Sequence, residues 1–289
     1  MERQSNVMQA KLALVMSMVI FGTIGIFRKY IPLPSGVIAM ARGVIGMIFL
    51  LLVVCLKGVR PSLHAIRANL CGLVLSGAAL GFNWILLFEA YQYTTVATAT
   101  LCYYMAPIFV ILVSPFLFQE KLTGKKTVCV AVALMGMVFV SGVYRTGFRG
   151  IAELRGILLG LGAAVLYASV ILLNKRIKDI SAYDKTIMQL GIAAIVLLPY
   201  TILSESVYEL NVTPLMAVML LVVGIVHTGV AYALYFGSMK NLKAQTVALY
   251  SYIDPIVAII LSALFLQEQM GIMEIIGACM VLGATMISE

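Results

Sequence analysis

Four ionisable residues, Arg42, Glu89, His227 and Asp254, stand in stretches of sequence that are otherwise almost wholly apolar. Charged groups are expensive in such surroundings, so each is a functional candidate by default. Asp254 lies near the middle of its stretch, and three roles stand open for it. It is a proton-binding carboxyl, a ligand for a cationic group, or a neutral acid bonded to backbone that Pro255 leaves unpaired. His227, near the middle of the preceding stretch, is the one titratable base at a similar depth, and alone it reads first as a hydrogen-bonded packing residue. Arg42 and Glu89 share the outer third of their stretches. They are expected either to pair as a structural or gating bridge or to touch a substrate.

Such chemistry needs elements to hold it, and composition names the kind. The chain is 62% hydrophobic and 11% charged, with a mean hydropathy of +1.05. No soluble interior of 289 residues hides that much apolar side chain. A bilayer does, provided every backbone group is satisfied internally, which points to helices of about 20 residues. Ten spanning stretches are predicted: 11–30, 36–56, 68–91, 95–118, 126–143, 155–175, 184–203, 214–238, 244–266 and 270–288. The expected fold is an all-α membrane protein that uses nearly the whole chain.

A segment occurs twice. Tyr104–Met105–Ala106–Pro107 leads to Leu117–Phe118–Gln119–Glu120; Tyr252–Ile253–Asp254–Pro255 leads to Phe265–Leu266–Gln267–Glu268. Upstream, Gly81, Trp84 and Phe88 fall on Gly229, Tyr232 and Phe236 at the same offset. Two repeats are expected, 1–147 and 148–289, each with five helices. Lys and Arg fix their sense. Fourteen of the twenty lie on one side, among them Lys57, Lys125, Lys175 and Lys240, and five on the other. The positive-inside rule then puts both termini in the cytoplasm. With five helices per repeat, the second is inverted relative to the first, an arrangement that builds two alternating gates around one site.

Pro107 and Pro255 each remove a backbone hydrogen bond near mid-membrane, which is tolerated where the break faces protein or water. Aromatic residues share the faces nearby: Trp84, Phe88 and Tyr91; Tyr104 above Pro107; Tyr232 and Tyr235; Tyr252 above Pro255. Buried phenols and indoles need hydrogen-bond partners, which favours a wet cavity. Glu120 and Glu268, at the membrane edge, are expected to fix helix ends and turns. Small residues such as Gly22, Gly43, Gly46 and Gly136 allow close helix packing.

The pattern resembles the drug/metabolite transporter superfamily, EamA type. The resemblance is carried by Phe88–Glu89–Ala90, Pro107, Glu120 and Gly136, then Phe236–Gly237–Ser238, Pro255, Glu268 and Gly283, with Arg42 and Phe21–Gly22. It implies a ten-helix basket in a bacterial inner membrane, with the fifth and tenth helices peripheral. It also implies a central cavity lined by Phe21, Trp84, Phe88, Tyr104, Tyr167, Tyr232, Tyr235, Tyr252 and Asp254. Coupling or gating would fall to Asp254, His227, Arg42 and Glu89. Glu89 and Asp254 depart from the usual pattern, and both add acidity, which hints at a cationic or zwitterionic solute.

The expected function is therefore a secondary transporter, an exporter of a small metabolite such as an amino acid or amine. It would alternate access around that cavity, with protons as a candidate coupling ion. A non-transporting membrane subunit or sensor is the alternative. An intramembrane enzyme is disfavoured, because Asp254 is alone and His227 has no sequence-adjacent partner. No nucleic-acid partner is expected, since the basic residues follow topology. No cofactor or metal is expected either. The five cysteines form no CxxC pair and read as small apolar filler.

Overall fold

The computed structural model describes residues 2–58, 61–141, 151–204, 212–265 and 271–287. The expected repeat boundary at 147/148 and Glu268 lie outside them. Among the described residues every regular element is helical. The order is α1 (Glu2–Arg28), α2 (Ser35–Leu56), the short α3 (Leu63–Ala68), α4 (Leu70–Tyr93), α5 (Val96–Tyr103), α6 (Ala106–Phe118) and α7 (Gly124–Ser141). Then come α8 (Ile151–Arg176), α9 (Ala182–Ser204), α10 (Pro214–Val222), a π-helical stretch (Val223–Val230), α11 (Ala231–Ser238), α12 (Ala244–Tyr250), α13 (Ile253–Phe265) and α14 (Ile272–Ile287).

Seven described helical spans are long and apolar enough to cross a bilayer: 6–28, 35–56, 70–93, 98–118, 153–176, 182–203 and 214–238. They coincide with seven of the ten predicted stretches. The other three are helical over 124–141, 244–265 (with a break) and 272–287. Large apolar side chains cover the outside; Leu56, Phe116, Ile195 and Leu203 are all exposed. That outward face suits lipid, where burial against protein brings no hydrophobic gain. Of the cysteines, Cys129 is buried and Cys102 half-buried. Cys55, Cys71 and Cys279 are exposed, so these three are not the internal filler expected of them.

Local sequence sets the helix ends. Thr95 caps α5 by accepting from the Thr98 amide at 3.1 Å, and Thr213 caps α10 just ahead of Pro214. Gln119 ends α6 in the left-handed conformation, φ 55°. The two long proline-bearing stretches are each broken. α5 stops at Tyr103 and α6 starts at Ala106; α12 stops at Tyr250 and α13 starts at Ile253. Both breaks fall just ahead of the proline, because Pro107 and Pro255 sit in the first turns of α6 and α13, where a missing N–H costs nothing.

The core gathers α4 against α8 and α9, α1 against α13 and α11, α2 against α9 and the π-helical stretch, and α7 against α14. Polar bonds tie the helices inside. Asn83 donates to the Ala163 carbonyl at 2.6 Å, and Gln189 donates to Asn174 at 3.1 Å and to Ser76. Where α1 crosses α13 there is no room for a side chain at Gly22. A Cβ there would lie 2.6 Å from Val257 Cβ and 2.8 Å from the Asp254 carbonyl oxygen. Gly22 therefore sets how closely α1 approaches the first turn of α13.

Candidate functional site

Between α1, α2, α4, α5, α8, the π-helical stretch, α11 and α13 lies a cavity of about 550 Å³. That is the size of a small-molecule site. Its deep wall is aromatic. Phe21 meets Tyr232 edge-on at 5.0 Å, Trp84 meets Tyr232 at 6.3 Å, and Tyr103 stacks on Tyr167 at 5.3 Å. Phe88 and Tyr104 also line it. Toward the end of the bundle that carries the 29–34 loop, Arg28, Ile31, Ser35 and Tyr91 continue the lining.

Three charged side chains line this space: Arg28, which donates to carbonyls of the 29–34 loop, and Arg42 and Asp254 from two further elements. Arg42, on α2, places its guanidinium carbon 4.4 Å from the centroid of the Trp84 ring, a cation–π geometry. Its Nε is buried and without a hydrogen-bond partner. Asp254, in the first turn of α13, lines the cavity as well. Among the described residues neither forms an ion pair or hydrogen bond with another protein group. Other buried or half-buried cations are occupied. Arg28 donates to the Ile31 and Leu33 carbonyls, Lys175 to that of Leu242, and Lys185 to that of Phe236 at 3.0 Å.

Several expected site residues stand elsewhere. Tyr235 is fully buried behind the wall, where its hydroxyl accepts from Tyr167 at 2.9 Å. Tyr252 is also fully buried and donates to the Tyr104 carbonyl at 3.1 Å. That carbonyl sits in the break between α5 and α6, so one repeat's tyrosine satisfies the backbone freed beside its mate. His227 shares a 2.7 Å hydrogen bond with Thr23 and lies edge-on to Phe27 at 4.8 Å, away from Asp254's cavity. The expected Arg42–Glu89 bridge does not form. Glu89 accepts from Tyr200 at 2.9 Å, while Arg42 lies on Trp84. Hydropathy places both at one depth, but their helix faces point them to different neighbours.

The opposite end, which holds the basic loops, is closed by bonds between segments far apart in sequence. Both Glu120 carboxylate oxygens accept from backbone amides at the start of α12, Ala244 at 2.9 Å and Gln245 at 3.2 Å. The Gln245 side chain donates to Ser114 at 2.9 Å and accepts from Lys126 at 2.7 Å. Glu120 does fix a helix end, as its position suggests, but one in the other half of the chain. Sequence reasoning missed Gln245 and Ser114, and also Tyr103 in the cavity wall. Of these, only Tyr103 left a signal, as the neighbour of the repeated Tyr104.

The sequence profile of the EamA-like transporter family matches residues 8–142 and again 154–288. An uncharacterized transporter of Bacillus subtilis, YxxF, is 29% identical over 94% of this chain and 86% of its own length. A second, from Archaeoglobus fulgidus, is 29% identical over 96% of this chain and 94% of its own. A probable amino-acid metabolite efflux pump of Escherichia coli is 27% identical over 73% of this chain and 72% of its own. One solved crystal structure aligns with a TM-score of 0.85 over 96% of both chains at 19% identity, a likeness of fold.

Proposed function

This chain belongs to the EamA-like transporter family, a transmembrane transporter rather than an enzyme, and from that premise we propose that it is a secondary transporter exporting a small metabolite. The solute class is an amino acid or amine. The single observation that carries the reading is the unequal state of the two ends. The aromatic cavity extends to the end with the 29–34 loop, while Glu120, Gln245, Ser114 and Lys126 clasp the basic end shut. One site closed on one side and reached from the other is what alternating access requires.

Ten spanning helices in two inverted repeats support the same mechanism. The twofold profile match and the paired breaks at 104–105 and 251–252 favour that arrangement. The charge count favours a cytoplasmic basic end and cytoplasmic termini, which in a bacterial inner membrane would turn the cavity outward. Residues Phe21, Trp84, Phe88, Tyr104, Tyr167, Tyr232 and Asp254 would contact the solute. Tyr235 and Tyr252 would brace them from behind.

Reconstitution tests the proposal. The purified chain, alone in liposomes loaded with a mixture of labelled amino acids and amines, should release at least one of them faster than protein-free liposomes. An imposed proton gradient should drive that flux uphill. Liposomes that release nothing would leave the chain as a subunit or sensor.

A further inference from the structure

The charges in the cavity can be read one level further, and that reading rests on the transporter proposal above. Arg42 and Asp254 both face one space and are not paired with each other or with other described residues. Leaving two opposite charges apart in an apolar surround is costly unless something meets them. Water can do so in an empty cavity. A bound solute would have to replace that water with groups of matching charge. Occupied cations elsewhere in the helices sharpen the contrast: Arg28, Lys175 and Lys185 all spend their donors on backbone carbonyls. Arg42 instead lies over the Trp84 ring, its guanidinium carbon 4.4 Å from the centroid, and its buried Nε has no hydrogen-bond partner among the described residues. Tyr232 lines the same space and meets Trp84 on one side and Phe21 on the other.

We infer that the cavity binds a zwitterion in a fixed sense, its carboxylate on the Arg42 guanidinium and its ammonium on the Asp254 carboxylate. The aromatic wall formed by Phe21, Trp84, Tyr103 and Tyr232 takes the side chain between them. A guanidinium matches a carboxylate edge to edge through two parallel N–H bonds. An ammonium beside a carboxylate and ringed by aromatic faces gains from both. A solute with one charge only would leave the other protein charge unmet and desolvated, so it should bind more weakly on either count.

The chain has a single tryptophan, Trp84, and it lies under Arg42 in this wall. Its emission therefore reports on the cavity. Three probes of one shape are titrated into the purified protein: phenylalanine, phenethylamine and 3-phenylpropionate, none of which absorbs where an indole is excited. Thermal stabilisation gives an independent second readout. Half-saturation for phenylalanine is expected at a concentration lower by about tenfold or more than for either single-charge probe. Arg42→Gln should bring phenylalanine up to the level of phenethylamine, and Asp254→Asn should bring it up to that of 3-phenylpropionate. The wild-type ranking decides even if a variant fails to fold. A single-charge probe that binds as tightly as phenylalanine overturns the assignment, as does a ranking that survives in both variants. If no probe binds but the liposomes still move another solute, the zwitterion site falls and the transporter stands. If the liposomes move nothing, the transporter reading falls first.

Discussion

A charged side chain on an apolar helix is met by whichever neighbour its own face presents it to. Runs of apolar sequence place Arg42 and Glu89 at one height, yet one lies on Trp84 and the other holds Tyr200. His227 likewise sits near mid-helix but turns to Thr23. In a helix that is apolar on every side, no polar stripe marks which face meets which neighbour. The same reading puts Asp254 in mid-stretch, whereas the break ahead of Pro255 sets it in the first turn of α13. Its proposed proton role has a clean consequence. Asp254→Asn keeps shape but cannot release a proton, so gradient-driven accumulation should fall by about tenfold or more, whereas exchange measured with solute far above the variant's raised half-saturation stays within about threefold. Uphill accumulation at wild-type level would remove Asp254 from coupling.

At the scale of elements, the repeated prolines point in sequence to two bent helices; both stretches are instead interrupted, beside Tyr104 and Tyr252. The π-helical stretch at 223–230 was not foreseen. Widening the bonding from i→i+4 to i→i+5 leaves no mark in composition, and the two polar residues within it, His227 and Thr228, are adjacent and trace no stripe. Thr228 donates to the Val223 carbonyl at 3.1 Å, five residues back, within it. Helix approach is where a single atom should matter most. Gly22→Ala drives a methyl into Val257 and the Asp254 carbonyl, and is expected to cost about 1–3 kcal/mol. Gly25→Ala, one turn on, meets nothing within 4 Å and should be neutral or stabilising by up to about 1 kcal/mol. Thermal unfolding of the two variants in detergent checks the contrast, and equal midpoints would refute the packing argument.

For the molecule as a whole, class and repeat could be read from hydropathy and self-similarity, whereas the conformational state could not. Which end is shut depends on contacts between residues more than a hundred positions apart, such as Glu120 with Ala244, and periodicity carries no trace of these. On the alternating-access proposal, the clasp sets the balance between the two states. Glu120→Ala removes a cap worth about 0.5–2 kcal/mol, a roughly two- to thirty-fold shift in that balance. A cysteine placed at Ala248, in a background with the five native cysteines replaced, should then react faster with a thiol reagent added from the basic side. An unchanged rate would mean that the clasp does not hold this end closed.

Several of the bonds between distant segments share one further trait. Glu120 holds amides of residues 244 and 245, Lys175 the carbonyl of Leu242, Lys185 that of Phe236, and Tyr252 that of Tyr104. In each case one partner is main chain, so its side chain is free to change without breaking the bond. Such a joint asks evolution to keep one residue rather than two in step. At these joints the residue that supplies the main-chain partner can change its side chain while the bond is kept.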